Sequence, residues 1–173
     1  MNSEKAKAGG VFTVKCVGKD GTLKWEHSEY NLVVNEGLKY MNDAALYGGT
    51  QLTTWYLGLY GAAASNTPAA TDTMASHAGW TEVTAYTQAT RPQCVFAAGT
   101  LADPSVMTNT ASPATFTINA TTVVGGAFLT SNNTKGGTTG TLFSAADFQS
   151  PGDRNVTSDD TLFVTYQFSL DAA

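Results

Sequence analysis

The sequence predicts a mainly β fold, an antiparallel β-sandwich or jelly roll with one short helix at about residues 36–47. Three observations predict it: short alternations of apolar and polar residues recur along the chain, turn-forming residues separate them, and only one stretch carries helical spacing. At 173 residues with no break in composition, the chain reads as a flexible N-terminal segment, 1–10, followed by one domain over 11–173.

The first element runs from Val11 to Val17, with Phe12, Val14 and Cys16 on one face and Thr13 and Lys15 on the other. Gly18-Lys-Asp-Gly21 turns the chain, and Thr22 to Ser28 repeats the alternation with Leu23 and Trp25 opposed to Lys24 and Glu26, so the pair predicts a hairpin. The period then changes. Leu38, Met41, Ala45 and Leu46 recur at helical spacing, Asn35 is placed to cap, Glu36 lies near the positive end, and Gly48-Gly49 stops the helix. Thr53 to Tyr60 returns to strand character, with Trp55, Leu57 and Leu59 on one side and Tyr56 and Tyr60 on the other, so both faces are expected to be covered.

Residues 61–78 are rich in Ala, Ser, Thr, Asn and Pro, lack a hydrophobic period and are long for a connection, which marks an interface loop. Gly79 to Tyr86 and Arg91 to Phe96 are two further short strands, with Pro92 at a start or an edge. In the C-terminal half, strands are expected at 114–120, with Phe116 and Ile118 inward, at 122–131 and at 161–170. Gly125-Gly126 inside the second predicts a bulge or a close backbone approach, and 132–140 is a Gly-rich loop. The last carries Leu162, Val164, Tyr166, Phe168 and Leu170 on one face and is expected to be central.

Composition narrows the functional classes. Hydrophobic residues make up 42% of the chain and charged residues 13%, about half the ~25% usual in soluble domains. Between Pro92 and Ala146 the only formal charges are Asp103 and Lys135. Thr, Ser, Asn and small residues replace charge, and such side chains lose little rotamer freedom when a partner covers them. A net charge of −5 without any Lys/Arg cluster argues against nucleic acid as a partner. No apolar run has the length of a membrane helix, and the N-terminus lacks the apolar core of a signal peptide, so synthesis in the cytoplasm without a membrane partner is expected. Cys16 and Cys94 each sit in an apolar strand and are expected to be reduced, buried thiols.

Chemistry finds little support. The two histidines, His27 and His77, lack a nucleophile-elbow context; His77 lies near Asp72 and Ser76, residue types that this composition brings together without a motif. Asp153, Asp159 and Asp160 could offer carboxylates to Ca²⁺, but their spacing is not that of a calcium loop and a solvated turn is the better reading. No cofactor, no metal and no enzyme activity is expected. An interaction surface is assigned instead to Trp55, Tyr56, Tyr60 and Trp80, whose rings could stack on a sugar face, and to the loop residues Asn66, Thr67, Asp72 and His77. Asn132, Asn133 and Lys135 of the Gly-rich loop over 132–140 complete it.

Asn31-Leu-Val-Val-Asn-Glu-Gly37-Leu38, Trp55-Tyr-Leu-Gly-Leu59, the segment from Asp72 to Trp80 with Thr81-Glu82, Arg91-Pro92 and Asp160-Thr-Leu-Phe-Val-Thr-Tyr166 together resemble virion proteins of tailed bacteriophages. In size, neutrality and lack of chemistry the chain is most similar to small head decoration (cement) proteins. The resemblance implies a homotrimer on the capsid exterior, with the major capsid protein as partner and a role in stabilising the shell. The alternative it implies is a tail or fibre-associated module binding a host glycan or another tail protein, although no repetitive shaft is present.

Overall fold

The computed structural model describes residues 6–61, 67–150 and 152–172. Two antiparallel sheets face each other across one core, and the fold is a mainly β sandwich. The first sheet is built on β1 (Lys7–Val17), β2 (Leu23–Tyr30) and the long strand β13 (Thr161–Asp171). β1 and β2 form the expected hairpin, closed by the Gly18 amide donating to the Thr22 carbonyl at 2.8 Å. The alternation expected to begin at Val11 begins at Lys7, because Lys7 to Gly10 already pair with the far end of β13.

β13 is central, as its unbroken stripe predicts: one edge pairs with β1, and the other with two short strands, β7 (Ser105–Thr108) and β8 (Ala114–Thr117). The gap between those two is filled by one side chain. Buried Asn109 accepts from the Tyr166 amide at 2.7 Å and donates to the Val164 carbonyl at 3.2 Å, which supplies the hydrogen bonds a continuous neighbouring strand would have made.

The second sheet runs β3 (Leu32–Val33), β11 (Leu142–Asp147), β10 (Gly126–Thr130), β4 (Trp55–Gly61), and then β5 (Thr81–Glu82) and β6 (Gln93–Cys94), which share the last edge of β4. The segments expected as strands over 79–86 and 91–96 shorten to two paired residues each. The segment expected as one strand over 122–131 splits at Gly125: β9 (Thr122–Val124) leaves to pair with β12 (Arg154–Val156), while β10 stays in the sheet. Gly126 is the close approach that the glycine pair predicts, for a Cβ there would lie 2.1 Å from the Tyr60 ring.

Leu57 and Leu59 face the inter-sheet core with Phe12, Val14, Phe116, Val164 and Tyr166, while Tyr60 faces the opposite way. That outer face is covered, as expected. What covers it is a surprise: Met74 and Trp80 pack on Tyr60, Phe128, Leu142 and Val34 as a second apolar cluster. The end of the segment expected to be an interface loop is therefore a strap over the sheet. Both cysteines are free and buried, and burial pushes the Cys16 thiol up to about 11 with Asp160 adding to the effect.

The helical stretch covers the expected 36–47 but changes its winding partway. α1 (Asn35–Asn42) gives way to a π-helical turn over Asp43–Tyr47 that ends at Gly48 in the left-handed region (φ 79°). Asn35 is not the cap: extended Val34 precedes the helix without a side-chain bond, and the Asn35 amide is satisfied by the Ala70 carbonyl at 2.8 Å. The expected Leu/Met face is only half right. Met41 and Tyr40 pack on the core, but Leu38 and Leu46 are exposed, since the face pressed on β11 is the one that carries buried Gly37.

Candidate functional site

The residues assigned to an interaction surface are divided between buried and more exposed positions. Tyr60, Asp72 and Trp80 are buried in the outer cluster, where the Trp80 indole donates to Asp72 at 3.1 Å and its ring lies 5.0 Å from those of Tyr60 and Phe128. Rings packed against a sheet cannot offer a face to a sugar. Trp55 and Tyr56 are half-buried, Thr67 is exposed, and Asn66 lies outside the described residues.

Lys135 is turned inward as well. Its ammonium donates to the Tyr86 and Gln88 carbonyls at 2.9 and 2.7 Å and sits over the Tyr86 ring, so it ties the 132–140 loop down. Asn132 and Asn133 serve the same end through their carbonyls, which accept from the Arg91 guanidinium and amide. Sequence reasoning missed Arg91, which is buried and bound through two nitrogens to Glu82 at 2.9 and 2.6 Å.

The ionisable groups weighed for chemistry are each committed to local structure. His77 stacks on Trp80 at 3.8 Å and donates from Nδ1 to the Trp80 carbonyl, while Asp72 accepts from Trp80 and the Ala69 amide. His27 sits against Phe148 and within 3.2 Å of Glu29. Asp160 is buried at the turn before β13. Burial opposes its charge, but the Lys24 ammonium at 2.7 Å and the Thr157 amide and hydroxyl outweigh it and hold the carboxyl below its usual range. Among the described residues no three Asp, Glu, His or Cys groups are arranged to hold a metal ion.

What the fold does expose is an apolar end. Between the two sheets, beside α1, lies a cleft of about 550 Å³. Its floor is Leu129, Phe143, Tyr166 and Cys94, and its walls include Trp55, Phe96 and Met107. A second depression of about 410 Å³ shares Tyr40, Met41 and Phe168 with it and extends to Ala45 and Leu170. No charged residue lines either one.

Next to the cleft, the segment over 97–108, with one charge, folds back on itself as a hairpin. Ala97 donates to the Thr108 carbonyl, Thr100 donates to the Val106 carbonyl, and Val106 donates to Thr100 Oγ1, each at 2.9 Å. Its tip, Leu101, is fully exposed. Asp103, the one charge in this hairpin, accepts from the Ala172 amide at 3.0 Å. Both formal charges between Pro92 and Ala146 thus hydrogen-bond to the chain's own backbone, and the exposed parts of this stretch otherwise carry hydroxyl, amide and apolar groups. No protein-family model, curated protein or solved structure matches the chain.

Proposed function

We propose that the chain is a decoration (cement) protein of a tailed-phage head, binding the major capsid protein from outside and stabilising the shell. The observation that carries this reading is that the exposed parts of the nearly uncharged stretch 92–146, above all the hairpin over 97–108 from which Leu101 projects, offer hydroxyl and apolar groups. Such stretches can be covered by a partner at little cost, because Asp103 is the one exposed charge in them and few long side chains must be immobilised. A standard contact of about 1,600 Å² repeated over a shell adds resistance to internal pressure without any single tight site. The resemblance to phage virion proteins supports the same reading. The alternative is a tail or fibre-associated module binding a host glycan or another tail protein; the inward packing of Tyr60 and Trp80 weakens only its sugar-stacking form.

The test is the copy number of this protein per purified virion, by quantitative mass spectrometry against the major capsid protein. Copies in the hundreds are expected. A handful to a few tens would move the protein to the tail and overturn the reading.

A further inference from the structure

On the outer face of the second sheet, one buried hydroxyl goes unused. Tyr60 is fully buried, and its hydroxyl has no hydrogen-bond partner among the described residues. Leaving such a group unpaired is costly, which marks a place where a water or an ion belongs. The direction of the hydroxyl follows from the register. Tyr60 on β4, Gly126 on β10 and Asp147 on β11 stand side by side across three strands. The Tyr60 ring occupies the space that Gly126 leaves open, since a Cβ there would strike both the ring and its hydroxyl oxygen. The ring therefore leans across β10, and its hydroxyl faces Asp147.

Asp147 has an oxygen to offer. Gln149 Nε2 and Thr67 Oγ1 both donate to its Oδ2, at 2.6 and 3.5 Å. Among the described residues no donor reaches Oδ1, and no Lys or Arg pairs with the carboxylate. Burial, and then the Asp153 carboxylate, holds the Asp147 carboxyl above its usual range. Asp153 is brought there by β12: Arg154 pairs with Val124, which sets Asp153 level with Gly125 and next to Gly126. Asp159 and Asp160, its acidic neighbours in sequence, are paired elsewhere with Lys19 and Lys24.

We propose that this notch binds Ca²⁺, with Asp147 Oδ1 and the Asp153 carboxylate as its charged ligands and the Tyr60 hydroxyl oxygen accepting a hydrogen bond from an ion-bound water. The ion joins the end of β11 to the start of β12 and relieves the repulsion between the two acids. Neutral oxygens and water complete its shell, an irregular set that suits Ca²⁺ better than Mg²⁺, which demands near-octahedral geometry. With two carboxylates rather than three, the site is weak, with a dissociation constant of about 10⁻⁴–10⁻³ M. The inference stands apart from the decoration reading, since it concerns the free protein.

The test is calorimetric titration of CaCl₂ into the chelator-treated full chain, with melting temperatures taken in CaCl₂ and in NaCl of equal ionic strength. The native sequence should bind saturably and melt roughly 3–10 °C higher in about 10 mM CaCl₂ than in NaCl. Asp147→Asn and Asp153→Asn should each weaken binding roughly tenfold or more and abolish the shift. Tyr60→Phe removes only the unpaired hydroxyl, so it should fold without the ion and respond to Ca²⁺ less than the native chain. Asp159→Asn should respond as the native chain does. Asp153 is exposed, so its variant keeps the test decisive even where Asp147→Asn fails to fold. A titration without saturable binding, a shift matched by NaCl, or an Asp153→Asn variant that responds like the native chain would each overturn the proposal.

Discussion

The guanidinium of Arg91 is enclosed between β5 and β6, where it meets the Glu82 carboxylate through two nitrogens, the Asn132 and Gly137 carbonyls at 2.8 and 2.7 Å, and the Phe128 ring. Removing one member of such a pair leaves an uncompensated buried charge. Arg91→Met is expected to cost about 3–5 kcal/mol in urea unfolding. Adding Glu82→Leu to it should recover part of that loss, and a double variant no more stable than the single one would show that the pair itself is not the source. None of this was legible in the sequence. Arg-Pro within a polar connection reads as surface, because arginine is seldom fully buried, and three of its four partners lie on residues distant in the chain. Lys135 misled for the same reason: a lysine in a Gly-rich loop looks solvated until the Tyr86 and Gln88 carbonyls close on it.

Elements differed in legibility according to how many of their faces are covered. β13 alternates because one face is buried and the other only half-covered, and the period-two stripe follows directly. β11 was missed although it lies inside its sheet: Leu142 to Ala146 are buried on both faces, and the Ser-Ala-Ala run carries no alternation for a reader to find. The helix was legible in place and type but not in orientation. Its contact face is defined by a missing side chain, Gly37, where a Cβ would stand 2.3 Å from the Phe143 carbonyl oxygen. Helical propensity favours Gly→Ala by about 1 kcal/mol, whereas this contact opposes it with backbone that cannot rotate away. Gly37→Ala is therefore expected to lower stability by about 1–3 kcal/mol, through lifting α1 from β11. A raised melting temperature would mean that the helix shifts without cost and that the close seat does not govern its position.

At the scale of the molecule, the second sheet is the middle layer of three, held between the inter-sheet core and the strap that carries Met74 and Trp80. The composition of 61–78 suggested an interface loop, since two buried residues in a long Ala/Thr segment make no period. Excising 67–78 removes Met74 and bares Tyr60, Phe128 and Leu142, so calorimetry should show loss of the cooperative transition rather than a trimmed, stable domain. A sharp transition near the original temperature would show that the outer layer is ornamental. The two sheets also differ in when they can exist. All strands of the second sheet have been made once Asp147 is reached, but the first sheet depends on β13, to which β1, β7 and β8 all pair. While the chain is being translated, the β1–β2 hairpin keeps one ladder edge open from Val17 until Thr161 emerges, a standing template for the wrong strand.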